Sequence, residues 1–211
     1  MNVGALTSPS GLGEIRANGS NGRDVSGGGG GRIAIYYESK TGLNDSKITA
    51  TGGNGQSSGK HGAPGTVYIK DKTDLSSAYL KIQGAGSGAA YSYTPLNDVT
   101  NESKIIIENA NTTISETVLN GNLNIINSNV RIENPIRFTQ PLSLLNSKLE
   151  IQSDVTFEHF IAGSNASSEI VEVGGQLTVP GNNLVVDGIT LSLAKNHIFN
   201  SIHIKNGGVL T

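Results

Sequence analysis

The fold is decided by the stretch Leu123–Phe157, which reads LNIINSNVRIENPIRFTQPLSLLNSKLEIQSDVTF. When this stretch is compared with itself at a shift of 19, apolar residues fall on apolar residues and one Asn-Ser pair falls on another. The apolar pair Val130 and Ile132 corresponds in this way to Leu149 and Ile151. Apolar residues that alternate with a period of two indicate strands. A repeat of about 20 residues, made of short strands and polar corners, predicts one coil of a β-solenoid.

Stacking is what makes such a coil stable, because a single coil of short strands cannot bury its own inward side chains. Coils stacked about 4.8 Å apart share backbone hydrogen bonds and join their inward residues into one core. In this stack Asn127 lies over Asn146, and the two amides can form a ladder at the corner. The alternative is an antiparallel sandwich with short hairpins, which does not require residue-by-residue register at a shift of 19.

The repeat continues toward the C-terminus with small changes in length. At a shift of 42, or two coils of 21, the matching pairs are Leu142/Leu184, Leu144/Val186, Leu149/Leu191, Ile151/Leu193 and Phe157/Phe199. A third coil, at a shift of 18, runs through Ile202, Ile204 and Val209. Coils of about 18–22 residues are therefore predicted for the C-terminal half.

The N-terminal half contains a longer repeat. Glu14–Gly22 matches Lys47–Gly55 at a shift of 33, and Gly31–Tyr36 matches Gly65–Lys70 at a shift of 34. Each copy places a Gly- and Asn-rich loop between strands, which predicts larger coils with a packed loop or a stack of extended glycine segments. We expect two segments, 1–95 with the longer repeat and 96–211 with regular coils, in one continuous piece of a longer chain.

Composition excludes several classes of function. The chain has 211 residues, 28 of them Gly, no Cys and a net charge of −2. A chain without a basic block is not expected to bind nucleic acid. The lack of Cys excludes disulfides, thiol catalysis and Cys-based metal sites. No segment approaches the roughly 20 apolar residues of a membrane span.

No motif assigns a catalytic, ligand-binding or metal-ligating residue, and no cofactor is expected. The glycine run Gly27–Gly31 lacks the Lys-Ser/Thr ending of a phosphate-binding loop. Gly19–Asp24 resembles a calcium β-roll motif once, but the second copy has Ser57 in the position of Asp24. Hard cations prefer several carboxylates, so this match does not predict a calcium roll.

Three sets of side chains are the remaining candidates. The histidines have no metal-ligand spacing and are predicted at the surface or in corners: His61, His159, His197 and His203. The acids that could approach one face, although a solvated flank explains them more simply, are Glu133, Asp154 and Glu172. The tyrosines that could stack on sugar rings or dock a partner, although covering strand edges is the simpler interpretation, are Tyr36, Tyr37, Tyr68, Tyr91 and Tyr93.

The glycine-rich segments resemble the repeats of very large bacterial exported proteins. The segments that carry this resemblance are Gly27–Tyr37, Ile48–Gly55 and Gly62–Lys70, and Ile202–Thr211 is similar to solenoid coils of the same kind of protein. The resemblance implies an extracellular or cell-surface β-solenoid of the adhesin or autotransporter-passenger type. It carries over no catalytic residues.

Together these patterns predict an all-β, parallel β-helix (β-solenoid) that is right-handed. Its expected role is a stalk or binding surface of a large bacterial surface or secreted protein. Expected partners are a glycan, the surface of a host or neighbouring cell, and the adjoining repeats of the parent chain. The alternative function is a carbohydrate-active β-helix of the lyase or hydrolase kind, or its non-catalytic part, which two or three carboxylates beside an Arg or Lys in one groove would favour.

Overall fold

The computed structural model describes residues 1–22, 26–55, 61–84, 93–97, 104–159 and 167–211, with the backbone of 162–163. Helical structure in these ranges is confined to three single 3-10 turns, at Asp45–Lys47, Leu75–Ser77 and Pro180–Asn182. The predicted all-β class is confirmed, and stacked parallel strands form a β-solenoid of about five turns.

The strands, in chain order, are β1 (Ala5–Thr7), β2 (Ile15–Arg16), β3 (Arg32–Tyr37), β4 (Ser39–Thr41), β5 (Ile48–Thr49), β6 (Thr66–Asp71), β7 (Tyr79–Gln83), β8 (Thr94–Leu96), β9 (Lys104–Glu108), β10 (Asn111–Ile114), β11 (Val118–Leu119), β12 (Asn122–Ile126), β13 (Asn129–Ile132), β14 (Ile136–Phe138), β15 (Leu142–Leu145), β16 (Lys148–Ile151), β17 (Val155–Phe157), β18 (Ala162–Gly163), β19 (Glu169–Glu172), β20 (Leu177–Thr178), β21 (Asn183–Asp187), β22 (Thr190–Ser192), β23 (Ser201–Lys205) and β24 (Val209–Leu210). The chain divides into two compact units, Met1–Thr94 with Ser103–Ala110, and Pro95–Glu102 with Asn111–Thr211. The predicted segments 1–95 and 96–211, as parts of a longer chain, stay a prediction, as does the right-handed sense of the coils.

In the second unit, successive strands of a coil belong to three parallel sheets. The strand orders are β12-β15-β18-β21-β23, β8-β10-β13-β16-β19-β22-β24 and β11-β14-β17-β20. The predicted register at a shift of 19 is confirmed, because Leu123 pairs with Leu142 and Val130 pairs with Leu149. The third sheet has the same shift of 19, because Ile136 pairs with Val155. Inward residues of these strands are buried in stacked columns, and the rings of Phe138 and Phe157 stack with their centroids 5.0 Å apart.

The Asn-Ser corners have a specific backbone geometry. Asn127 and Asn146 have φ values of 49° and 48°, in the left-handed region that Asn tolerates better than most other residues with a side chain. The amide of Asn146 donates to Oδ1 of Asn127 at 3.2 Å. The predicted amide ladder is therefore present, and it fixes the turn between the first and second sheets.

The register of the later coils follows the prediction on one sheet only. Leu149, Ile170 and Leu191 follow one another at a shift of 21, as predicted. On the first sheet Ser143 pairs with Ala162 and Ala162 with Asp187, which gives a shift of 44 (187 minus 143). The predicted pairing of Leu142 with Leu184 at 42 is therefore wrong by two positions, because the corner before β21 contains the additional turn at Pro180–Asn182.

The last coil also differs from the prediction in one place. Ile202 aligns with Leu184 at a shift of 18, as predicted, but Val209 pairs with Thr190 and not with Leu191. The corner before β24 contains Asn206 and Gly207 with positive φ, and it is one residue longer than a shift of 18 allows. Val209 is consequently turned outward.

The first unit pairs its strands at the offsets that the longer repeat predicts. Ile15 pairs with Ile48 at a shift of 33, and β3 pairs with β6 at a shift of 34. The parallel order is interrupted once, where β7 runs antiparallel to β6 with Tyr68 opposite Leu80 and Val67 opposite Lys81. Since opposite residues of an antiparallel pair share a face, the buried apolar residues lie on one face of β6 and on the other face of β7.

The glycine-rich loops of the first unit form a bundle of four extended segments, 17–22, 26–31, 50–54 and 62–65, which we call the glycine bundle. Its segments are joined by backbone hydrogen bonds such as Gly53 N to Gly28 O at 2.8 Å and Gly62 N to Gly53 O at 2.9 Å. A Cβ atom added to Gly62 would lie 1.9 Å from the carbonyl oxygen of Gly28. Glycine is needed here for close backbone approach and not for a positive φ.

Candidate functional site

The tyrosines that the structure describes in the first unit form one contacting pair and not a row. Tyr36 points outward from β3 and meets the ring of Tyr68 edge-on, with centroids 5.6 Å apart and planes at 61°. Tyr37 faces the core, and the ammonium of Lys40 lies 5.7 Å from its ring centroid. Tyr93 is half-buried, and Tyr91 lies outside the described residues. Among the tyrosines that the structure describes in this unit, the exposed aromatic surface is therefore one pair.

The three acids that could have shared a face are separated. Glu133 and Asp154 are exposed, and Oδ1 of Asp154 accepts a hydrogen bond from the backbone N–H of Gln176 at 2.9 Å. The side chain of Glu172 is 0% exposed and points into the solenoid. A joint carboxylate cluster of these three residues is therefore not formed.

A ladder of charged side chains covers the outer face of the second sheet. Nε of Arg131 lies 2.7 Å from Oε2 of Glu150, and Nζ of Lys148 lies 3.1 Å from Oε1 of Glu169 and 3.5 Å from Oε1 of Glu150. The hydrogen bond from Lys148 to Glu169 raises the pKa of this lysine. Each of these carboxylates has a cationic side chain beside it. The face is therefore a ladder of ion pairs and not a site for acid-base catalysis.

The histidines lie in different places. His159 is exposed, with Nε2 3.1 Å from the carbonyl oxygen of Thr139, and His203 is exposed on β23. His61 accepts a hydrogen bond from Gly55 N at 3.2 Å. His197 lies in a strand-free part of its coil, where a corner position was predicted, but it is not at the surface, because its side chain is 6% exposed and lies against Glu172.

Glu172 occupies a position that earlier coils give to an apolar side chain. Ile132 and Ile151 precede it in the same inward column. Its Oε1 accepts from Leu177 N at 2.7 Å, and its Oε2 accepts from Ala194 N at 3.0 Å and from Lys195 N at 3.2 Å. Hydrogen bonds between backbone N–H groups and a carboxylate are stronger than neutral ones, and they offset the cost of burying this group.

His197 completes this arrangement. Its Nε2 lies 2.8 Å from Oε1 of Glu172, a close contact that is not aligned as a hydrogen bond. The imidazole ring stacks on the ring of Phe199, with centroids 5.3 Å apart and planes at 3°. The imidazole is consequently packed between the carboxylate of Glu172 and the ring of Phe199.

A cavity of about 270 Å³ lies next to this histidine, between β20 and the segment 196–199, and we call it the His197 cavity. Residues 193–200 contain no strand, although they follow β22 where the third sheet would continue. The side chains that line it, besides His197, include Gln176, Thr178, Asn182, Asn196, Ile198 and Phe199.

Sequence reasoning missed the inward position of Glu172, although a signal for it exists. Glu172 pairs with Ile151 at a shift of 21, the same interval that separates Ile170 from Leu149. The alternation of Val171 and Val173 around Glu172 hides this register, because it suggests that the valines face inward. The contact with residues 194–197, more than 20 positions away, leaves no local pattern.

No protein-family model matches the sequence, and the comparisons with curated proteins and with solved structures found no match. Within the described residues, none of the helical turns is long and apolar enough to cross a membrane. The described part of the chain also contains no group of three or more His, Cys, Asp or Glu side chains placed to hold a metal ion. Asp24 and Ser57, the two positions compared for a calcium roll, lie outside that part.

Proposed function

We propose that this chain is a structural and adhesive β-solenoid segment of a large bacterial surface or secreted protein. In this role it acts as a stalk or as a binding surface for a cell, a matrix or a glycan, and its neighbours are the adjoining repeats of the parent chain. An extracellular or cell-surface location is part of the proposal. The resemblance of the glycine-rich segments to exported bacterial repeats supports it, as does the lack of cysteine.

One observation carries the proposal, namely that outward side chains of successive coils bond to one another. Ser143 donates to Oδ1 of Asn124 at 2.6 Å, Asn146 donates to Asn127, and Arg131 pairs with Glu150. Such ladders produce regular faces with satisfied polar groups, and stacked repeats use extended surfaces of this kind for binding. A face of this kind is suited to a rigid stalk or to contact with a binding partner, and it does not bring catalytic groups together.

A second candidate function rests on Glu172 and His197. A histidine beside a buried carboxylate and next to a cavity can act as a general base, and this pair is the observation that favours a carbohydrate-active solenoid. The described residues that line this cavity provide no second acid, since they contain only amide, hydroxyl, apolar and imidazole side chains. The adhesive proposal is therefore preferred.

A glycan array probed with the purified chain, together with assays for new reducing ends and for unsaturated products on each sugar that binds, distinguishes the two functions. Binding without product is the result expected for an adhesive segment. Product formation that His197→Ala abolishes would replace the proposal with the enzyme. Absence of both binding and product would contradict glycan adhesion and leave the stalk role.

A further inference from the structure

The His197 cavity has a polar lining with little charge. Three carboxamides, from Gln176, Asn182 and Asn196, and the hydroxyl of Thr178 surround it, and His197 is the one lining side chain that can ionise. Among the described residues, the side-chain amides of Asn182 and Asn196 are not engaged in any hydrogen bond with each other or with the rest of the lining. Carboxamides and hydroxyls both donate and accept, which suits a ligand with hydroxyl groups.

The cavity also offers apolar contact. Ile198 is 89% exposed, and Phe199 is half-buried with one ring face against His197. Sugar rings combine hydroxyl edges with apolar C–H faces, and aromatic or aliphatic side chains beside amides can contact both.

The charge behind the cavity argues against ions as ligands. The Glu172 carboxylate lies directly behind His197 and would repel an anion, and the described lining contains no Lys or Arg. The carboxylate cannot serve a cation either, because its side chain is 0% exposed and its oxygens already accept three backbone N–H groups. A neutral ligand is the remaining class.

The volume limits the size of this ligand. About 270 Å³ is below the roughly 300–1,000 Å³ that drug-sized ligands occupy, so the cavity has room for one ring and not for a chain. We propose that the His197 cavity is a glycan subsite that holds a single neutral sugar ring, with Glu172 acting as a positioning residue for His197. This inference rests on the proposed adhesive function, because it names the place and the class of sugar by which the chain would bind a glycan.

The test is a titration of the full ¹⁵N-labelled chain with the methyl glycosides of glucose, galactose, mannose and N-acetylglucosamine, with methyl glucuronide as the charged comparison. We expect saturable shifts of the backbone amides of 176–179 and 194–199 with at least one neutral glycoside, and weaker binding of the glucuronide. Thr178→Val and Asn196→Ala should each weaken binding about three- to tenfold, the effect of losing one hydrogen bond.

Thr156→Val is the matched control, because Thr156 is the neighbour of Thr178 on the preceding coil and does not line the cavity. It should bind like the unmodified chain. Equal affinity of all three variants, or preference for the glucuronide, would overturn the subsite while glycan binding on the array still supported adhesion. If the array shows no glycan binding by the unmodified chain, the glycan part of the proposed function fails and the subsite fails with it.

Discussion

Glu172 is a charged residue at a position where the repeat otherwise has an apolar side chain, and the strand pairing on both sides of it is kept. The residues before it in the column are isoleucines, yet the carboxylate fits because Leu177, Ala194 and Lys195 each direct a backbone N–H at it. Leu177 begins β20, the last strand in the order of the third sheet, and Ala194 and Lys195 lie in the following segment without a strand. The side chain therefore replaces a missing backbone ladder.

Two substitutions of Glu172 test this role. Glu172→Ile restores the apolar column but leaves the three N–H groups without an acceptor, whereas Glu172→Gln keeps one acceptor oxygen. A buried polar group without a partner costs about 1–3 kcal/mol, so we expect both variants to unfold at lower temperature and the isoleucine variant to lose more. Thermal unfolding measures this, with Glu133→Gln at an exposed position as a nearly unchanged control. An isoleucine variant as stable as the unmodified chain would contradict the assignment.

Glycine positions in the glycine bundle are not equivalent. A Cβ atom at Gly62 would lie 1.9 Å from a backbone oxygen, while a Cβ atom at Gly29 would meet its nearest neighbour at 3.7 Å. We expect Gly62→Ala to lower the free energy of unfolding by at least about 2 kcal/mol through overpacking. Gly29→Ala should be neutral or stabilising by about 0.4–1 kcal/mol, because alanine restricts the unfolded chain. Denaturant titration compares the two, and equal losses would contradict the packing described.

Tyr79 couples stability to alkaline pH. Burial, followed by the negative charge of Asp45, raises the pKa of this phenol above its ordinary value of 10.0. A group with a raised folded pKa contributes stability that is complete below the unfolded pKa and is lost as pH rises toward the folded pKa. We therefore expect the free energy of unfolding to fall above about pH 10 and to fall less in Tyr79→Phe.

The comparison with Tyr79→Phe isolates this tyrosine from nearby groups. Burial lowers the pKa of Lys81, which makes stability rise with pH over the alkaline range, and burial raises the pKa of Tyr37. Lys81 and Tyr37 remain in the variant, so the difference between the two profiles reports Tyr79 together with its Coulombic interaction with Tyr37. Identical pH profiles for the two chains would show that Tyr79 does not titrate differently in the folded and unfolded states.

At the scale of the element, strands were predictable wherever inward residues repeat at a constant interval. Val130 and Leu149 could be aligned from sequence because the corner between coils has a fixed length. The alignments that failed, such as Leu142 with Leu184, cross corners of changed length, and corners have no apolar period that would reveal the change. The sequence pattern therefore predicts reliably which face of a strand is buried. It predicts less reliably which residues of the neighbouring strand are its partners.

The reversal of β7 was not predictable for a related reason. Leu80 and Ile82 alternate with polar residues as any half-buried strand does, and this pattern is the same for a parallel and an antiparallel neighbour. Lys81, which the reversal buries, is 7% exposed and reads in sequence as a solvent-facing residue. The amide ladder of Asn127 and Asn146 followed from the predicted coils, whereas the His197 cavity depends on contacts that sequence does not encode locally.

Adjacent residues of β15 test the assignment of faces. Leu144 points inward and is buried, while Ser143 points outward and is exposed. Leu144→Asp places an unpaired charge in the core, which costs several kcal/mol, and we expect the chain not to fold. Ser143→Asp should remain folded with a change near about 1 kcal/mol, the value of its hydrogen bond to Asn124. Circular dichroism during heating distinguishes the variants, and similar melting curves would invalidate the register.

For the molecule as a whole, stability should depend on position along the stack. Each coil contacts only its neighbours, so the stability of a repeat stack is a sum of local and interfacial contributions. Leu123 and Ile125 are buried between coils, whereas Ile202 and Ile204, in the last strand of the same sheet, are 49% and 52% exposed. The side chains of this last strand are consequently about half exposed, and they contribute less buried apolar surface than their counterparts in the earlier strands.

Amide hydrogen exchange can measure this gradient. We expect the slowest exchange in β12, β13, β15 and β16 and the fastest exchange among the strands of the second unit in β23 and β24, because local opening requires less free energy where less surface is buried. A matched comparison is β21 with β23, which pair with each other but differ in burial. Uniform protection would mean that the second unit opens as a single cooperative block.

The close packing of the glycine bundle also limits how this region can change by mutation. Every single-base change in a glycine codon that alters the amino acid introduces a residue with a Cβ atom. At Gly30, Gly52 and Gly65 that atom would lie 2.1 Å, 1.9 Å and 1.8 Å, respectively, from a backbone oxygen. Almost every amino-acid substitution at these glycines is therefore expected to destabilise the first unit. We expect related genes to differ here by gain or loss of whole repeat units.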